Sequence, residues 1–216
     1  MSVAELRLEL VAAARRLEPL GLTQGTSGNL SARTGDGMLV TPSAVAYAAM
    51  GPDDLVLLDL DGGIHGAPPL GSAHRPSTEW RMHAGILRDR PDVAAIVHAH
   101  PPWATALSCL RRGIPAFHYM VAAAGGRLIE CAEYAPFGTT QLGTAAVVAL
   151  GDRRACLLAN HGIIACGATV GSALGLAVEV EALAGQYMRA LSVAEPTLLG
   201  EEEMARVLKA FEGYGR

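Results

Sequence analysis

Val93–Pro102 reads VAAIVHAHPP, an apolar run that leads into two histidines and is stopped by two prolines. The pattern predicts a strand over Val93 to His100, because Val and Ile suit an extended backbone and proline cannot donate into a ladder. Just upstream, Pro76-Ser77-Thr78 opens a helix predicted over Thr78 to Arg90, and Pro91 closes it. Downstream, Arg154 to Leu158 and Gly162 to Cys166 read as two strands about a tight turn at Asn160-His161-Gly162, and Gly37 to Val40 and Leu55 to Leu60 read as short strands. Helical spacing of apolar residues predicts further helices over Val3 to Leu17, Val170 to Leu191 and Glu201 to Phe211, while Gly21 to Ser31 reads as a loop of small polar residues. Several links between strands are too short for a helical crossover. The expected fold is therefore α/β, a three-layer α/β/α sandwich around a mainly antiparallel, mixed sheet. No GxGxxG follows a strand, which argues against a dinucleotide-binding domain.

A chain of 216 residues with half of them hydrophobic suits one domain spanning 1–216. Seventeen Lys+Arg against 21 Asp+Glu give a net charge of −4 with no basic run, which excludes intrinsic disorder and leaves nothing to neutralise a nucleic-acid backbone. Mean hydropathy is +0.27, yet the longest uncharged runs, Val93 to Leu110 and Gly162 to Val178, are broken by histidines and prolines or are too short to span a bilayer. Glu5 and Glu9 stand where a signal peptide would be apolar, so a cytoplasmic protein is expected. Cys109, Cys131, Cys156 and Cys166 form no CxxC pair and are expected to be buried free thiols. Sixteen of the 17 basic residues are arginine; only Lys209 is lysine, on what reads as the exposed face of the last helix. Schiff-base chemistry and P-loop hydrolysis therefore lack their lysine.

The period of two places His98 and His100 on one face of their strand, with Cα atoms about 6–7 Å apart, so that both imidazoles can reach one divalent ion. An isolated HxH is as readily one buried and one exposed histidine, but its position at a strand end beside the prolines favours ligands. The best third ligand is His161, in the turn between two apolar strands. His65 and His74 fall in Gly/Pro-rich sequence, His83 is mid-helix, and His118 is ambiguous. Three histidines with an open position make a catalytic type of metal site. Glu79, in the first turn of the preceding helix, is either dipole compensation or the carboxylate of that site.

Gly25-Thr-Ser-Gly-Asn29 is a loop whose glycines permit positive φ, so successive amides can point at one anion. Ser77-Thr78 stand at a helix N-terminus, and Thr41-Pro-Ser-Ala44 is a third polar turn. Together, with lysine almost absent, they suit a phosphate held by neutral donors.

QGTSGNLS (Gln24–Ser31), LVTPSA (Leu39–Ala44), PSTEW (Pro76–Trp80), IVHAH (Ile96–His100), FHYMVAAAGG (Phe117–Gly126), YAPFGT (Tyr134–Thr139), NHGIIACG (Asn160–Gly167) and FEGYG (Phe211–Gly215) resemble, in order and along nearly the whole chain, the class II aldolase/adducin family. The resemblance implies zinc-dependent cleavage of L-fuculose 1-phosphate, or a similar ketose 1-phosphate, to dihydroxyacetone phosphate and L-lactaldehyde. It implies one Zn²⁺ per subunit on His98, His100 and His161, with Glu79 as fourth ligand and then general base. Gly28, Asn29, Ser43, Ala44, Ser77 and Thr78 match the family's phosphate-binding positions. Tyr119 matches a tyrosine that protonates the aldehyde oxygen from a neighbouring subunit, in fourfold tetramers, and Phe137 and Tyr214 match residues near the substrate's far end. The chemistry agrees: breaking C3–C4 leaves a carbanion, and without a lysine the electron sink is a Lewis acid, through a zinc-stabilised enediolate.

Within this family three rivals stand beside that reading. The L-ribulose-5-phosphate 4-epimerase branch resembles it with Asp in place of Glu79. Aldolases or dehydratases of other deoxy-sugar phosphates, such as 5-deoxyribulose 1-phosphate, share the metal and phosphate motifs. An adducin-like scaffold keeps the fold without the metal, and would be expected to have lost ligand histidines. Ala44 stands where similar enzymes often carry Gly, Thr78 replaces a Ser, and the sequence after Tyr214 is short, so the aldehyde end is the part least specified by these motifs.

Overall fold

The computed structural model describes residues 2–65 and 75–211. Its strands are Asn29–Thr34 (β1), Gly37–Val40 (β2), Val56–Asp59 (β3), Ile64–His65 (β4), Ala95–Ala99 (β5), Cys131–Ala132 (β6), Ala155–Leu158 (β7) and Gly162–Gly167 (β8). They form one sheet in the order β4-β3-β2-β1-β5-β8-β7-β6. Pairing is antiparallel everywhere except between β6 and β7. The mixed, largely antiparallel sheet expected from the short connections is thus present, with β5 near its centre.

Alternation along the strands feeds two cores. Val97, Leu157 and Ile163 join one face with Leu10, Val180 and Leu183, under helices Val3–Ala14 (α1), Pro102–Cys109 (α3), Val170–Leu191 (α5) and Glu201–Phe211 (α6). Their neighbours Ile96, Cys156 and Ile164 join the other with Met82, Ile86 and Leu142, from Trp80–Asp89 (α2) and Thr140–Leu150 (α4). The helices on both faces complete the three layers. All five β5 residues are buried, and each fully buried Val or Ile contributes about 1.5–3 kcal/mol, which anchors the strand that carries His98. No helix among the described residues is long and apolar enough to cross a membrane.

Several local readings change. The polar loop expected over Gly21 to Ser31 gives way at Asn29 to β1, whose Leu30 and Ala32 enter the first core while Asn29 and Ser31 face the other way. The helix expected from Thr78 begins at Trp80, with Glu79 as its N-cap at φ −97°, ψ 10°. The backbone just before it is held extended: Pro76 bridges Pro42, and Ser77 N donates to Thr41 O at 3.0 Å. Pro101-Pro102 ends a strand and also begins α3, since a proline in the first turn forfeits no helical bond. The strand itself ends at Ala99, leaving His100 just beyond it. α4, rich in Ala, Val and Gly without a charge, carried no readable amphipathic stripe. His65 lies in the edge strand β4, and His74 falls outside the described residues. Of the four free thiols only Cys156 and Cys166 are buried; Cys131 is half-buried and Cys109, the last residue of α3, is exposed.

Candidate metal centre and phosphate pocket

His98 is fully buried and faces Asn29 across the β1–β5 ladder and Ile164 across the β5–β8 ladder. Its Nδ1–H donates to Ile163 O at 2.9 Å, which leaves the Nε2 lone pair for the site. His100 is half-buried, its backbone tied to Leu22 O at 3.1 Å. His161 sits in the β7–β8 turn, where Asn160 takes a left-handed φ of 55°. Its amide donates to Leu158 O at 3.0 Å, with Ser108 Oγ 3.3 Å away. The three rings meet with centroids 4.8, 4.8 and 4.9 Å apart, and their ligand nitrogens lie within 4.8 Å of one another.

Glu79 closes the fourth side. It is 7% exposed, with Oε2 at 3.1 Å from His98 Nε2 and accepting Asn29 Nδ2 at 2.9 Å. Oε1 lies 3.3 Å from His161 Nε2 but is buried without a hydrogen-bond partner. Burial pushes this carboxyl up, and the charge and hydrogen bond of His98, the charge of His161 and the Asn29 amide outweigh it, so it is held well below the usual carboxylate range. Burial, then the charge of His98, pushes His100 down to about 3 and His161 to about 4. His98 Nε2 and His100 Nε2 stand 2.9 Å apart. Three imidazoles converging on a carboxylate with a bare buried oxygen fit a divalent cation, and this donor set suits zinc or a similar first-row ion.

Beside this cluster opens a pocket of about 520 Å³, bordered by Gly28, Asn29, Ser43, Ala44, Ser77 and Thr78 as well as Glu79, His100 and His161. All three polar segments expected to bind an anion are therefore brought together. Thr41 joins them, since its Oγ1 accepts Leu30 N at 3.1 Å and its carbonyl accepts Ser77 N. Gly28 has φ +83°, and a Cβ there would lie 2.7 Å from His98 O, so only glycine fits. Tyr47 Oη donates to Gly28 O at 2.7 Å, and burial pushes its hydroxyl above the ordinary range, so it stays a donor. Ala44 takes φ +61°, the left-handed backbone that glycine would adopt without strain. Ser43 Oγ is committed to Pro76 O at 2.9 Å. Among the described residues, no Lys or Arg side chain lines the pocket.

Tyr119 does not line this chain's pocket; it begins the 3-10 helix Tyr119–Ala124 and is 50% exposed. Phe137 borders the pocket's outer wall with Tyr134 and Ala135 and is 72% exposed. Tyr214 lies outside the described residues. His118 caps the 3-10 helix, accepting Met120 N at 3.3 Å, and is no ligand of the cluster. Two residues that the sequence reading missed stand behind the site. His83, dismissed as mid-helix, is fully buried between Ser31 and Asn29. Its spacing from Glu79, four residues and hence one helical turn, was the available signal. Tyr47 gave no such signal, because only the folded loop brings it under Gly28.

Residues 8–188 match the family model described as Class II Aldolase and Adducin N-terminal domain. The chain is 52% identical over 210 residues to a 5-methylthioribulose-1-phosphate/5-deoxyribulose-1-phosphate aldolase of Rhodospirillum rubrum, covering 97% of this chain and 92% of that protein. It is 44% identical over 212 residues to the L-fuculose phosphate aldolase of Escherichia coli K12, covering 98% and 96%. A solved L-fuculose 1-phosphate aldolase superposes with a TM-score of 0.92 at 38% identity, covering 98% of both chains.

Proposed function

Since the chain belongs to the class II aldolase and adducin family, and is a class II aldolase and so a lyase, we propose that it cleaves a ketose 1-phosphate between C3 and C4, releasing dihydroxyacetone phosphate and a short aldehyde. The observation that carries this reading is the convergence of His98, His100, His161 and the bare Oε1 of Glu79 on one point beside a pocket of neutral polar donors. His98, His100 and His161 would hold one Zn²⁺, with Glu79 as fourth ligand before substrate enters. Bound there, the cation supplies a Lewis acid that draws electron density from the C2 carbonyl.

The chain's own residues do the rest. The loop at Gly28-Asn29 and the segments Ser43-Ala44 and Ser77-Thr78 bind the phosphate, placing C2 and C3 against the metal side. In the direction of bond formation, the Glu79 carboxylate takes a proton from C3 of dihydroxyacetone phosphate, and C3 attacks the aldehyde carbon. The phenol of Tyr119 from a neighbouring subunit gives its proton to the aldehyde oxygen, and cleavage is the reverse. Tyr119 is half-exposed and does not line its own chain's pocket, which supports its acting in a neighbouring subunit's site; the homotetramer itself rests on the motif match. The motif match assigns Phe137, which borders the pocket, and Tyr214 to the aldehyde end.

For the aldehyde, the outer wall of Tyr134, Ala135 and Phe137 favours an apolar tail. Aromatic side chains there suit a methyl or methylthio group. Together with the 52% identity to the Rhodospirillum enzyme, this makes 5-deoxyribulose 1-phosphate and 5-methylthioribulose 1-phosphate the first substrates to test. L-Fuculose 1-phosphate, expected from the sequence motifs and supported by the 44% identity to the Escherichia coli enzyme, is the second reading; its extra hydroxyl would need a polar partner, for which the lining offers the Tyr134 hydroxyl and the Asn160 amide. The test is dihydroxyacetone phosphate release from all three sugars, with and without a chelator. Chelator-insensitive release, or none from any of them, would overturn the proposal.

A further inference from the structure

Behind Glu79 runs a chain of buried polar side chains, of which the mechanism above uses only Asn29. Asn29 Nδ2 donates to Glu79 Oε2 at 2.9 Å. Asn29 Oδ1 meets His83 Nε2 at 2.5 Å, and His83 Nδ1 meets Ser31 Oγ at 2.7 Å. Ser31 and His83 are fully buried, and Asn29 is 4% exposed. Only one assignment of protons satisfies every group. A carboxylate can only accept, so the Asn29 amide must turn its N–H₂ toward Glu79 and its oxygen toward His83. That oxygen can only accept, so His83 carries its proton on Nε2. The bare Nδ1 then accepts the Ser31 hydroxyl hydrogen.

We propose that His83, locked in this tautomer by Ser31, is a positioning residue for Glu79: it fixes the Asn29 amide, and the amide holds Oε2 so that Oε1 is left bare toward the histidine cluster. The proposal rests on the aldolase reading for what Glu79 does, and on the geometry alone for what holds it. Placement follows from the fold. Asn29 and Ser31 alternate onto the same face of β1, and His83 lies one helical turn beyond Glu79 on α2, so a single imidazole bridges strand and helix behind the carboxylate. Burial keeps that imidazole neutral, pushing it down to about 3. Were the amide reversed, Asn29 Oδ1 would face Glu79 Oε2, acceptor against acceptor. With no donor at position 83, the amide is held from the Glu79 side alone, and its buried oxygen loses its partner.

His83→Gln keeps an N–H₂ near the place of Nε2, and His83→Leu fills the space without a donor. In the zinc-loaded enzyme, His83→Leu is expected to lower kcat by about 10- to 100-fold while KM stays within about 2-fold, the pattern of a displaced outer partner rather than lost substrate binding. Zinc affinity should fall over the same range, and His83→Gln should recover most of both losses. Equal losses in the two variants, or a loss confined to KM, would overturn the proposal. Should His83→Leu fail to fold, nitrogen-15 NMR of the wild type and of Ser31→Ala decides: a single Nε2–H tautomer for His83 that becomes mixed in Ser31→Ala supports the relay, and any other tautomer refutes it. If the wild type cleaves no ketose phosphate, the aldolase reading falls, while the tautomer and the zinc affinities still judge the positioning role.

Discussion

Gly28 passes so close to β5 that a side chain on it would stand 2.7 Å from the carbonyl oxygen of His98. One residue therefore serves both halves of the candidate site: its positive φ shapes the loop proposed to bind phosphate, and its lack of a Cβ lets that loop lie against the strand that carries His98. Gly28→Ala should disturb both at once. Expected are a stability loss of roughly 1–3 kcal/mol from the strained backbone and weaker zinc binding, measured by urea unfolding and by competition with a chelating dye. Unaltered zinc affinity would show that β5 tolerates the displacement.

Ala44 bears the opposite load. At φ +61° it carries a side chain where the backbone favours none. Ala44→Gly removes about 1–2 kcal/mol of left-handed strain and adds about 0.5–1 kcal/mol of chain entropy in the unfolded state, for a net gain of about 0.5 kcal/mol. Denaturant midpoints of the two proteins check it, and a less stable glycine variant would mean that the methyl group packs usefully.

Glu79→Gln retains size and an oxygen toward the histidine cluster while removing the carboxylate proposed as the base. Turnover is expected to fall at least about 100-fold, with zinc content measured by elemental analysis preserved. Near-normal turnover would remove Glu79 from proton transfer.

Acid should loosen the metal-free protein before it protonates the carboxylates. His83 titrates at the ordinary 6.5 when unfolded and at about 3 when folded. Between those values only the unfolded chain binds the proton, so the contribution is complete above pH 6.5 and is lost as pH falls. The loss is about 1.4 kcal/mol for each unit of pH across that window. His100 and His161, pushed down to about 3 and about 4, act in the same direction. Urea midpoints between pH 7.5 and 5 should decline, and less steeply in His83→Gln. A flat profile would place a proton on His83 in the folded state.

Tyr119→Phe should lower kcat while leaving folding and zinc content intact, and light scattering on the wild type should give a mass near four chains. A fully active monomer would remove Tyr119 from the reaction.

The convergence of His98, His100 and His161 was legible because HxH at a strand end and a histidine in a strand–strand turn fix side-chain direction by short-range geometry. The antiparallel sheet followed from connection lengths in the same way. β1 was hidden because Asn29 and Ser31 look like loop residues; their polarity serves His83 and Glu79 within the fold. The start of α2 moved to Trp80 because Ser77 pairs with Thr41, a contact between segments far apart in sequence. His83 shows the limit most plainly. A histidine among Met82, Ala84 and Ile86 reads as an ordinary helical position until β1 is laid across it.

The pocket's lining without lysine or arginine bears on traffic through the site. With a net charge of −4 on the chain and no Lys or Arg on the described lining, long-range attraction for an anionic ligand would have to come from a cation held at the histidine cluster, so stripping that cation is expected to slow capture as well as to remove the Lewis acid.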